Sequence, residues 1–110
     1  MGMMLMTSAD ELPGYEVEEI LGIVQGNTVR ARNVGRDFLA GLKNIVGGEI
    51  SEYTDLLTES RNQAIQRMMN MAERRGANAV VAVRFNTSNI MQAAAELFVY
   101  GTAVKVHKVE

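Results

Sequence analysis

Arg74-Arg75-Gly76-Ala77-Asn78-Ala79-Val80-Val81-Ala82-Val83-Arg84-Phe85 joins two kinds of patterning, and its reading decides the fold. Upstream, Leu57, Ala64, Ile65, Met68 and Ala72 recur on one stripe, with Thr54 and Asp55 at the start and basic residues at the end. That spacing and charge order predict an amphipathic helix, stopped by Gly76. Downstream, a β-branched run with no helical spacing predicts a strand.

Working outward, Asn86-Thr87-Ser88-Asn89 reads as a loop, and Glu96 to Val106 as a second strand after it. Before the long helix, Phe38, Leu39, Leu42, Ile45 and Val46 take helical spacing and Gly47-Gly48 supply a stop, which predicts a shorter helix. Tyr15 to Arg32 reads as a long, bent strand. Gly22 and Gly26 interrupt it where a bulge or a close backbone approach is expected. Met3 to Thr7 reads as a first short strand, closed by the turn Leu12-Pro13-Gly14. The order β-β-α-α-β-β groups strands apart from helices, so the expectation is an α+β domain with a mainly antiparallel sheet packed on one long helix.

The 110 residues make one domain over 1–110, with 47% apolar and 22% charged residues, enough for a core. A net charge of −2 and no run of Lys or Arg argue against nucleic acid as a partner. The chain has no cysteine and one histidine, which excludes disulfides, thiolate centres and most imidazole-based catalysis. Met1-Gly2-Met3-Met4-Leu5-Met6 lacks the basic region of a signal peptide, and no apolar stretch approaches about 20 residues, so a cytoplasmic location without a membrane partner is expected.

Arg61 is the most informative single residue. On a helical wheel it lies about 40° from Leu57 and Ile65 and about 20° from Met68 and Ala72, inside the apolar stripe. A guanidinium there needs a partner, whether a carboxylate, a set of backbone carbonyls or an anionic ligand, because burying it unpaired costs several kcal/mol. Glu49, just before the helix, is a candidate partner, and a structural ion pair or a subunit contact is the leading reading over a ligand-binding arginine. Glu49, Glu52, Asp55 and Glu59 match no cation loop and read as helix-start acids. His107 shares a strand face with Lys105 and reads as exposed. Met68, Met69 and Met71 read as core filling rather than a pliable binding surface. Both alternating faces of the strand, Val80 and Ala82 on one and Val81, Val83 and Phe85 on the other, are apolar and offer more surface than one helix covers, which points to self-association.

Ile20-Leu21-Gly22-Ile23-Val24-Gln25-Gly26, Val46-Gly47-Gly48-Glu49 with Tyr53, Arg61 with Ala64, Gly76-Ala77-Asn78-Ala79-Val80-Val81, and Tyr100-Gly101-Thr102-Ala103-Val104 occur in this order. Together they resemble the YbjQ-like family over nearly the whole chain, from about Met4 to Val106. The resemblance implies a dodecin-subunit-like α+β fold and a homo-oligomeric ring, a pentamer, built through strands of adjacent subunits. It brings no activity and no known cofactor. The family carries a heavy-metal-binding label, and a chain without cysteine and with one histidine is a poor match to soft metals. Gly48, Glu49, Tyr53, Arg61 and Asn78 match family motif positions. The reading that follows is a non-enzymatic small-ligand-binding or scaffold protein with Glu49, Tyr53 and Arg61 as ligand-binding candidates. The alternative is a metal-ion-binding protein, its metal unknown.

Overall fold

The computed structural model describes residues 4–30, 51–91 and 94–109. The helix predicted around Phe38 to Val46 lies outside the described residues, as do Gly48 and Glu49. Among the described residues the elements are β1 (Leu5–Met6), β2 (Tyr15–Arg30), α1 (Ser51–Arg74), β3 (Ala79–Met91) and β4 (Ala94–Lys108). The sheet order is β1-β3-β4-β2.

The sheet is mixed, a correction to the mainly antiparallel one expected. β4 runs antiparallel to both β2 and β3, but β1 pairs parallel to β3 through Leu5 opposite Ala79 and Met6 opposite Val80. β1 and β2 therefore point the same way at opposite edges, and the chain between them crosses a face of the sheet. A two-residue strand has no period from which its partner could be read. The predicted loop at Asn86 to Asn89 is also strand. These residues pair with Phe98, Leu97, Glu96 and Ala95, as a polar extension of the hairpin.

α1 ends as its sequence predicts. Gly76 takes φ +85°, Gly76 N–H donates to Glu73 C=O at 3.0 Å and Ala77 N–H to Ala72 C=O at 3.1 Å, the paired bonds of a Schellman stop. Ser60, Ala64, Met68 and Ala72, spaced by four, are the residues α1 buries most deeply. They meet Val24, Val80, Val83, Val99 and Ala103 of the sheet. Gly26 of β2 lies directly beneath the helix backbone, the close approach expected there. A register shift at Ile20/Gly22, with Gly22 at φ +101°, is the expected bulge.

On the opposite face, Leu5, Leu12 and Tyr15 pack on Ala79, Val81, Val104 and Val106. Leu12-Pro13-Gly14-Tyr15 forms the turn that carries them, with Gly14 at φ +86° and Tyr15 N–H donating to Leu12 C=O at 3.0 Å. Ala82 holds φ +54° at the irregularity between Val81 and Arg84, costing about 1–2 kcal/mol in a non-glycine residue. It is held there by Ala82 N–H to Ala9 C=O at 2.9 Å and Val83 N–H to Thr7 C=O at 3.0 Å.

The molecule is long. Its 16-residue β2 spans about 50 Å at strand rise, and the overall extents are 55 × 28 × 24 Å. The radius of gyration is 17.2 Å, against about 13 Å for a compact domain of this length.

Candidate functional site

Two arginines tie α1 to β2. Arg67 Nη1 donates to Asn27 C=O at 2.6 Å, and Arg75 Nη1 donates to Ile23 C=O at 2.9 Å and Leu21 C=O at 3.3 Å, so this flank lies along β2. Ala64 is about 60° round the helix from Arg67, and Arg61 about 60° further, which brings Arg61 out on the other flank, toward β4 and β3. Thr28 Oγ1 donates to Ser60 C=O at 3.0 Å and fixes the same orientation one turn earlier.

In the single chain Arg61 is exposed, a correction to the buried stripe position read from the wheel. The buried row 60, 64, 68 and 72 is an i+4 ridge, inclined to the helix axis rather than parallel to it. Moreover, α1 packs chiefly on β2, less on β4 and barely on β3. Phe85 shares a cross-strand position with the fully buried Val99 yet is 49% exposed, because the helix stops short of β3. Leu57, 40% exposed, and the half-buried Ile65 flank Arg61 on this open shelf.

The other two ligand-binding candidates have no described side chain. Glu49 lies outside the described residues, and Tyr53 is placed only as backbone in the first turn of α1. Helix geometry puts Tyr53 about 12 Å along the axis from Arg61 and about 80° round it.

Asn78 has a structural role. Its Nδ2 donates to Val106 C=O at 2.9 Å while its Oδ1 accepts from Val106 N–H at 2.8 Å, so the side chain pairs with β4 as a strand residue would. This carries the ladder past the start of β3. Asn78→Asp keeps the acceptor and sets a carboxylate against the Val106 carbonyl; it should cost about 1–3 kcal/mol. The check is a urea unfolding midpoint, and an unchanged midpoint would deny the pairing its weight.

His107 is half exposed, as expected, but has company. Its Nε2 lies 3.4 Å from Glu16 Oε2 and its Nδ1 3.3 Å from Glu18 Oε1. Glu18 stands at the register shift between Val17 and Glu19, which brings a second carboxylate beside one imidazole. Sequence reading had no signal for this beyond the acid density of residues 16–19. It also missed a groove of 540 Å³ on the face away from α1. The groove has Val17, Val81 and Val106 in its wall and Asp10, Glu11 and Glu16 among its lining residues. Its one sequence sign was the Pro13-Gly14 turn set between acidic residues.

A family model described as "YbjQ_1: Putative heavy-metal-binding" matches residues 4–107. The chain belongs to the YbjQ-like family. Its relatives span archaea and bacteria: a UPF0145 protein of Methanoculleus marisnigri is 60% identical over 103 residues, covering 94% of this chain and 96% of the relative. Those of Acinetobacter baylyi and Thermotoga maritima are 62% and 51% identical, covering 86% and 96% of this chain and 88% and 100% of theirs. The chain also superposes, with a TM-score of 0.63 and 14% identity, on a crystal structure from Pediococcus pentosaceus. That structure, of a protein of unknown function in the DUF74 family, is matched over 94% of this chain and 98% of its own, a likeness of fold.

The heavy-metal-binding description of the YbjQ-like family makes a demand on the donors present. The chain contains no cysteine and one histidine, and among the described residues no group of three or more His, Asp or Glu is arranged to hold a metal. The two ring nitrogens of His107 point apart, each to its own carboxylate, so one ion cannot gather Glu16, His107 and Glu18 together. Soft metals select thiolate donors. These residues do not fit such a centre. Among the described residues no helix is long and apolar enough to cross a membrane.

Proposed function

We propose that the protein is a non-enzymatic homo-oligomer, a ring of five subunits, serving as a scaffold or binding a small ligand, with Glu49, Tyr53 and Arg61 as its ligand-binding candidates. The observation that carries this reading is a pair of apolar surfaces, on opposite faces of one sheet, that the described residues leave uncovered. One is the shelf of Leu57, Ile65 and Phe85 around Arg61. The other is a strip along β2, where Val17, Ile20 and Ile23 are 51%, 71% and 68% exposed and share the face of Val81, Val104 and Val106.

Exposed patches of this kind mark interaction sites in folded proteins. A two-fold dimer would use one patch against itself, whereas two different patches fit a head-to-tail contact, which closes into a ring when its rotation allows. The elongated shape agrees, since a 55 Å molecule gains compactness only through neighbours. The metal reading draws support from the family label alone, and the donor set opposes it.

Native mass spectrometry of freshly purified protein tests the proposal. The expected result is a species of five subunits at micromolar concentration, with added mass if a ligand is retained. A monomer would sink the ring; a pentamer carrying stoichiometric metal would restore the metal reading.

A further inference from the structure

Resting on the ring reading, we infer that the contact between neighbours is α1 of one copy seated on the β2 strip of the next, with Arg61 of the first answered by Asp10 and Glu11 of the second. The two surfaces match in size. Leu57 to Ile65 covers about 12 Å of helix, and Val17 to Ile23 about 20 Å of strand, so two helical turns lie within the strip. They match in chemistry as well. The shelf sets one cation among Leu57, Ile65 and Phe85, while the strip runs from Ile23 and Ile20 through Val17 into the groove that Asp10 and Glu11 help to line.

Charge decides the pairing. Among the described residues Arg61 makes no ion pair, and neither does Asp10 or Glu11. An uncompensated guanidinium within an apolar patch opposes docking unless carboxylates meet it. Guanidinium and carboxylate meet through two parallel hydrogen bonds, which adds direction to an otherwise apolar contact. The 540 Å³ groove has the volume to admit the arginine head. A contact of β2 strip against β2 strip would leave Arg61 without a carboxylate, and in its parallel sense would also set Asp10 and Glu11 of both copies against each other, which like charge disfavours.

The occupant of the groove is therefore a second copy of this chain. A free organic cation is the rival, and the experiment separates them. Three full-length proteins are compared by native mass spectrometry and sedimentation: Arg61→Glu, the pair Asp10→Arg with Glu11→Arg, and all three changes together. Each reversal should weaken assembly at least about tenfold, and the triple variant should recover most of it. Circular dichroism confirms that each remains folded, which exposed positions predict.

An assembly untouched by Arg61→Glu, or broken by both reversals without recovery in the triple variant, overturns the inference while leaving the ring in place. A wild-type monomer overturns the ring itself. Recovery in the triple variant is a result that a small free cation in the groove could not produce.

Discussion

Gly26→Ala should remove at least about 3 kcal/mol of folding stability, above the ordinary range for one added methyl group. The reason is what the methyl would meet. A Cβ at Gly26 falls 2.6 Å from Met68 N and closer still to Ala64 C=O, both backbone of α1, and no rotamer change relieves a clash with a helix backbone. α1 would have to lift from β2. Lifting it lengthens the Thr28 to Ser60 hydrogen bond and withdraws Ala64, Met68 and Ala72 from Val24 and Val99. Thermal unfolding should show a fall of more than about 10 °C for a domain of this size. Gly14→Ala is the control: its Cβ meets open space, so only the φ of +86° is penalised, at about 1–2 kcal/mol. Equal melting temperatures for the two variants would show that the helix does not rest on Gly26.

Gly26 was legible in the sequence as a place of close backbone approach, since a glycine in a strand otherwise costs stability without return. The long helix and its stop were legible too, because apolar spacing, acids at the start and Arg74-Arg75-Gly76 at the end agree with one another. What stayed hidden depended on tertiary arrangement. Whether β1 pairs parallel or antiparallel is settled by its neighbour, not by Leu5 and Met6. Asn86 to Asn89 carry turn composition yet lie in strand because β4 continues opposite them. Arg61 lies inside the apolar stripe on the wheel, but a wheel assumes a straight stripe and a sheet wide enough to cover it. The donors around His107 escaped notice because a bulge, which has no fixed signature, sets Glu18 beside it.

Met68→Ala should cost about 2–5 kcal/mol, with Met68→Leu nearly neutral. Met68 is fully buried and, among the described residues, leads the wholly enclosed side chains in volume, so truncation leaves a void between α1 and the sheet that Ala64 and Ala72 are too small to fill. Met69 and Met71 are only partly buried at the margin of the same core, and their truncation should cost the isolated chain about 1 kcal/mol or less. This difference separates core filling from a pliable methionine surface, because a surface role would make the three substitutions alike and mild. Met69 adds a second test. It follows Ile65 by one helical turn, on the flank that also carries Arg61, so a neighbouring copy seated there would cover it. The cost of Met69→Ala should then grow as protein concentration rises through the assembly range, because folding and association become linked. The cost of Met68→Ala should change little over the same range. A Met69→Ala penalty independent of concentration would place the interface elsewhere than on this flank of α1.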